Sequence, residues 1–179
     1  MLGTLRALFR IAVVGMVAAS VGGACGGLEP ESIPPICAPS LVGLCGTVRF
    51  RGTIPDSTNN VFIAAYITLP QTCNDLINNR RPVIPGSVPY TDSAAAYSVA
   101  LSPGTYQWVL AVWKKVGTLT LSPADTALLR VAGYYRSLTD STQPGLVTVP
   151  TGPAVRDIDF VVNFDSLRPA TDFVTCTAQ

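Results

Sequence analysis

Histidine is absent from the 179 residues. The commonest general base and metal ligand is therefore missing, and a serine, histidine and aspartate triad cannot be assembled. Five cysteines remain, Cys25, Cys37, Cys45, Cys73 and Cys176, with no Cys-x-x-Cys spacing of the kind that seeds a zinc site. Asp157 and Asp159 alternate along one stretch and could gather a hard cation, although a single carboxylate pair supplies too few oxygens for calcium. Arg49 and Arg51 offer those carboxylates a structural role if the first and last strands are neighbours, at a few tenths to about 1 kcal/mol per cross-strand pair. Stacking on a sugar needs aromatic rings exposed on one face. Trp108 and Trp113 differ by an odd number, so in a regular strand they point to opposite faces. Trp108 is assigned to the core. Trp113, at the strand end beside Lys114 and Lys115, is the candidate ligand surface. The pairs Arg80-Arg81 and Lys114-Lys115 are too short for a polyanion site and read as solvated loop charges. No catalytic residue, cofactor site or metal site is assigned.

These side chains need a scaffold, and its strongest signal lies between Leu101 and Lys115. Ser102-Pro103-Gly104 is a turn, with proline presetting φ and glycine free to take the following position. Runs rich in aromatic and β-branched residues flank it, so Tyr97 to Leu101 and Thr105 to Trp113 are predicted as a hairpin. The second strand is apolar on both faces. Tyr106, Trp108, Leu110 and Val112 fall on one side and Val109, Ala111 and Trp113 on the other, which predicts a central strand covered twice over. Gly46 to Gly52 alternates, Val48 and Phe50 inward against Arg49 and Arg51, and pairs in prediction with Val61 to Leu69 as a first hairpin. Residues 70–89 form a cysteine-anchored connection with a short helix near Cys73 to Asn79. Ser122-Pro123-Ala-Asp125 starts a second helical turn, expected to run to about Arg130 and to stop at Gly133. Leu146 to Val149 and Val155 to Phe164 are the last strands. The fold class expected is all-β: a seven-stranded, antiparallel, Greek-key-type β-sandwich with one short helix.

The first 24 residues read as an export signal: Arg6 and Arg10, then the uncharged run Ile11 to Ala19, then Gly22-Gly23-Ala24. Small residues directly before Cys25 resemble the bacterial lipobox, with Gly22 standing where that pattern prefers an aliphatic residue. The resemblance implies acylation of Cys25 and a protein exported and lipid-anchored in the bacterial envelope. Residues 25–44 are a tether and lead-in, and residues 45–179 one domain. Assigning Cys25 to a lipid leaves an even set for an oxidising compartment. Of three connectivities, Cys45 with Cys73 and Cys37 with Cys176 are favoured, with Cys37 to Cys45 as the competing local pair. The chain carries 12 Lys+Arg against 11 Asp+Glu. Without Arg6 and Arg10 it is slightly acidic, so net charge attracts neither nucleic acid nor an acidic membrane.

In order, Gly-Thr-Val-Arg-Phe-Arg-Gly, Val-Phe-Ile-Ala-Ala-Tyr, Tyr-Ser-Val-Ala-Leu-Ser-Pro-Gly-Thr-Tyr and Val-Arg-Asp-Ile-Asp-Phe resemble the carboxypeptidase regulatory-like domains of the prealbumin (transthyretin-like) sandwich. The resemblance spans roughly residues 45 to 165 and rests on turn and core positions. It implies a non-catalytic module of an exported protein, with an envelope protein or a glycan as partner. Hydroxyisourate hydrolases share that fold and end in Tyr-Arg-Gly-Ser. Tyr135-Arg136-Ser137 lacks the glycine and is not terminal, and the histidines that activate water there are missing, so tyrosines packed at a sandwich edge are expected instead.

Overall fold

A computed structural model describes residues 37–175, apart from 83, 84 and 121. The doubly apolar stretch around Val109 forms a strand buried along most of its length, and the fold is layered about it. In chain order the strands are β1 (Gly43–Arg51), β2 (Thr58–Tyr66), β3 (Ala94–Ala100), β4 (Gly104–Tyr106), β5 (Trp108–Lys115), β6 (Leu129–Tyr134), β7 (Val147–Val149), β8 (Phe160–Asn163) and β9 (Arg168–Pro169). One α-helix, α1 (Cys73–Asn78), interrupts them. A four-stranded sheet runs β2-β5-β6-β9, a three-stranded sheet runs β3-β1-β8, and β4 pairs with β7.

Alternation decides which side chain goes where. Val61, Ile63 and Ala65 of β2, Val109, Ala111 and Trp113 of β5 and Ala132 of β6 join Leu44, Val48, Phe160 and Val162 of the smaller sheet in one core. The opposite faces of the same strands carry Phe62, Tyr66, Trp108, Leu110, Val112 and Val131 into a second core under α1 and the C-terminal segment, with Leu76, Ile77, Ala170 and Val174. The four-stranded sheet is thus covered on both faces, as its sequence predicts.

The predicted hairpins are not hairpins. β1 pairs with β3 and β8, whereas β2 pairs with β5, so the loop at residues 52–57 carries the chain from one sheet to the other. The same holds at Ser102-Pro103-Gly104, where β3 lies in the smaller sheet and β5 in the larger. Between them β4 turns aside to β7, and Tyr106 packs into the first core while Trp108 enters the second, so these two do not share a face. The turn chemistry sets a reversal of direction but leaves the partner open. β1 and β8 are neighbours, yet parallel, which departs from the all-antiparallel expectation. Nine short strands are found among the described residues where seven were expected.

The helical starts are local and were legible. α1 begins at Thr72, whose hydroxyl accepts from Asp75 N at 3.1 Å while Asp75 Oδ2 accepts from Thr72 N at 3.0 Å. The second start is a 3-10 turn over Pro123–Leu128, and the chain enters β6 at Leu129. Gly133, predicted to stop a helix, sits inside that strand. A β-carbon there would lie 2.0 Å from Val161 O of β8, so glycine lets the two sheets touch at this seam. Gly133→Val is expected to lower the unfolding free energy by about 1–3 kcal/mol in urea melts; an unchanged midpoint would show that the seam does not need glycine.

The connection at residues 70–89 also guards an edge. Arg81 exchanges two backbone hydrogen bonds with Ala65 at 2.8 Å, and Val88 N donates to Val61 O at 2.8 Å, so the outer edge of β2 is paired.

Candidate functional site

Trp113 is not a surface residue. Its ring is 6% exposed in the core between the sheets, and its Nε1 donates to Thr58 Oγ1 at 2.8 Å. β5 runs to Lys115 and stays paired with β2 to its end, so the strand end is covered rather than open. Lys114 is engaged too, donating from Nζ to Asn59 Oδ1 at 2.6 Å and to Gly117 O at 2.7 Å. Of the predicted surface Trp113, Lys114 and Lys115, only Lys115 is left as a free exposed charge.

The cysteine pairing is also corrected. Cys37 and Cys45 form a disulfide with a Cα–Cα distance of 5.8 Å, which excludes Cys45 with Cys73 and Cys37 with Cys176. Cys73 is disulfide-bonded as well. Cys25 and Cys176 lie outside the described residues. Thr175 bridges Thr72, and its N donates to Gln71 O at 3.1 Å, so the chain arrives beside Cys73 one residue before Cys176.

Asp157 and Asp159 are both exposed, alternating with buried Ile158 and Phe160. Asp157 precedes β8 with φ of 60°, and Asp159 accepts from Thr47 N at 2.6 Å, tying the lead-in of β8 to β1. Among the described residues the one ion pair is Arg168 with Asp172, and no cluster of metal-ligating side chains is found. Arg49 and Arg51 therefore have no carboxylate partner at ion-pair distance among the described residues. Arg80 and Arg81 donate to the carbonyls of Ile77 and Asn78, closing the end of α1.

Tyr134 ends β6, an interior strand of the four-stranded sheet, and Tyr135 follows it, so the edge position expected for them is not found; Tyr134 has company that the sequence did not reveal. Trp108, Tyr134 and Phe173 surround a cleft of about 340 Å³, with ring centroids 6.5 Å apart for Trp108 and Tyr134 and 5.2 Å for Trp108 and Phe173. Arg168 lies over the Phe173 ring at 4.3 Å, and Arg136 over Tyr134 at 4.8 Å. Gln71, Gln143 and Asp172 also line it, with Leu69, Pro70 and Pro144 among the apolar contributors. Three connecting segments, the loop leaving β2, the turn before β7 and the C-terminal stretch after β8, join Trp108 of β5 and Tyr134 of β6 to build it. A broader groove of about 510 Å³ along β6 and β8 shares Tyr134, Arg168 and Phe173 with it.

Two buried tyrosines link these layers to pH. Burial pushes the Tyr66 hydroxyl well above its ordinary value of 10.0, with nearby Arg80 pulling the other way; the hydroxyl donates to Leu76 O at 2.7 Å. Burial also raises Tyr97, helped by Asp159 and Tyr135, and it donates to Ile158 O at 2.5 Å. Both groups are neutral when folded, so their stabilisation is complete below the unfolded value of 10.0 and is lost as pH rises from there toward the folded values. Urea midpoints are expected to fall between pH 9 and pH 11, and Tyr66→Phe to flatten that fall; an equal slope in the variant would contradict it.

What the fold and the cleft define is a mostly β domain of packed sheets with one short helix and a disulfide. Comparison with family models, with curated proteins and with solved structures finds no match to this chain.

Proposed function

We propose that this chain is a non-catalytic module of the bacterial cell envelope, exported, lipid-anchored through Cys25, with a binding or structural role. The observation that carries the reading is the state of the cysteines. Cys37 and Cys45 are bonded to each other and Cys73 is bonded too, which suits an oxidising compartment. Thr175 lies beside Thr72, and pairing Cys73 with the next residue, Cys176, would leave Cys25 over, directly after the small residues of the export signal. The prealbumin-type, Greek-key sandwich belongs to the same proposal. It is supported by the two packed sheets and by the adjacency of β1 and β8, and the parallel sense of that pair is a departure to be accounted for.

Metabolic labelling with an alkynyl fatty acid tests it. Label is expected on the wild-type chain and none on Cys25→Ser; label that persists in the variant, or never appears, would sink the anchor.

A second reading, a carbohydrate-binding module of the envelope, loses Trp113 as its platform. The cleft of Trp108, Tyr134 and Phe173 takes its place, because it joins aromatic faces to planar polar side chains in a single opening.

A further inference from the structure

We infer that the free edge of β3 takes an extended, uncharged segment of a partner protein as an added strand. This rests on the binding role proposed above and gives it a partner.

β3 is the outer strand of the three-stranded sheet and pairs only with β1. Phe50 N donates to Ser93 O at 2.9 Å and Leu101 N to Val42 O at 3.1 Å, so the odd-numbered residues of this stretch turn their backbone groups toward β1. Ala94, Ala96, Ser98 and Ala100 turn theirs away. Those four N–H and four C=O groups have no partner among the described residues. Edges of this kind are usually blunted by a charge, a proline, a bulge or a covering segment. The outer edge of β2 is covered in that way, by Arg81 and Val88. Within the described residues β3 has none of these devices: Ala94–Ala100 is uncharged and free of proline, and its register with β1 runs without a shift.

A groove of about 420 Å³ lies along this edge, between Tyr97 and Val99 of β3 and Ile63, Pro82 and Val88. No charged residue lines it among the described residues. The bare edge and the groove together fit one kind of occupant. An added strand hydrogen-bonds through its backbone, while its alternate side chains point to one side and enter the groove. A charged side chain there would lose hydration without gaining a counterion, so small or branched apolar side chains suit it. A second copy of this chain fits less well. Its own β3 would bring Ala95, Tyr97 and Val99, which are already packed in its core and would leave the groove unfilled. The residues ahead of Cys37 carry Pro30, Pro34 and Pro35, which interrupt a ladder.

Fluorescence anisotropy with the full chain in detergent tests the assignment, using fluorescein-labelled Ser-Thr-Val-Thr-Val-Thr-Val-Thr-Ser as the probe. Saturable binding is expected below about 1 mM, a range that includes weak sites. Ala96→Pro and Ser98→Pro each remove an N–H that faces the added strand and none that β1 uses, so each should keep the wild-type melt and weaken binding about tenfold. Gly86→Lys probes the groove independently. A β-carbon at Gly86 meets no atom within 4 Å, so the fold accepts it, and the added charge should weaken binding several-fold even if both proline variants unfold. Absence of binding below about 1 mM overturns the assignment. So does an affinity that folded Ser98→Pro or Gly86→Lys leaves unchanged, or equal binding of a control peptide in which proline replaces each valine. A dimer in sedimentation velocity that Ser98→Pro dissolves would make a second copy the occupant, and overturns it as well. These results are separable from the envelope reading: absent peptide binding leaves the Cys25 label intact, and an absent label leaves the titrations standing.

Discussion

Trp113→Ala is expected to remove about 3–5 kcal/mol of stability, the range for deleting a large aromatic from a packed core. Against a typical total of about 5–15 kcal/mol, that is a large share. The ring fills the space between the two sheets beside Val61 and Ala111, and little solvent reaches it to soften the loss. Its N–H bond to Thr58 is a separate contribution. Thr58→Val keeps the volume but deletes both the acceptor of the indole and the bond that Thr58 Oγ1 donates to Pro55 O at 2.6 Å, so it reports the loss of the two together, about 1–3 kcal/mol. Urea melts by circular dichroism measure both, and the expected order is Trp113→Ala well below Thr58→Val, itself below wild type. A Trp113→Ala protein that melts with wild type but loses ligand binding would restore Trp113 as a surface residue and contradict its burial.

The two tryptophans show how far sequence patterns reach. Parity placed Trp108 and Trp113 on opposite faces, and they are, one in each core. Parity has no knowledge of layers beyond the sheet, so the core assignment of Trp108 holds while the surface assignment of Trp113 fails, because the smaller sheet covers it. Tyr106 fails for a different reason. Alternation was continued through Gln107, where the chain leaves the β4-β7 pair for the larger sheet, and the count of faces restarts there.

Strand positions were legible because β-branched and aromatic runs announce themselves over a few residues. Pairing was not, because it is decided by which apolar faces must meet across the sandwich. Ser102-Pro103-Gly104 looks like a hairpin turn and serves as a crossing between sheets. The cleft was illegible for a related reason. Arg168, Asp172 and Phe173 lie in a stretch of short 3-10 turns and a two-residue strand, which carries no periodicity to read. Only the folded chain sets that stretch beside Trp108 and Tyr134. The helix starts were accessible because Thr72 with Asp75, and Ser122 with Asp125, act over three residues.

Cys73→Ser is expected to destabilise the protein more than Cys37→Ser, because the bond that Cys37 makes closes only a short loop. The chain-entropy model scales with the loop a disulfide closes. Cys37 and Cys45 are 8 residues apart, which corresponds to about 2.5 kcal/mol. Thr175 approaches Gln71 and Thr72, so the partner expected for Cys73 is Cys176, which would close a loop of about 100 residues, for about 4.7 kcal/mol. Packing pushes the same way. Cys73 is buried in the second core at the first turn of α1, against the segment of Ala170 and Val174 that covers the four-stranded sheet. Loss of that bond would free the C-terminal stretch, and with it Arg168 and Phe173, so Cys73→Ser should also weaken any ligand held in the cleft, whereas Cys37→Ser should leave the cleft unaffected. Non-reducing peptide maps should return Cys37 with Cys45 and Cys73 with Cys176, and urea melts should rank the two variants in the order given. A Cys25 to Cys73 peptide would overturn the pairing and, in the same measurement, deny Cys25 its lipid.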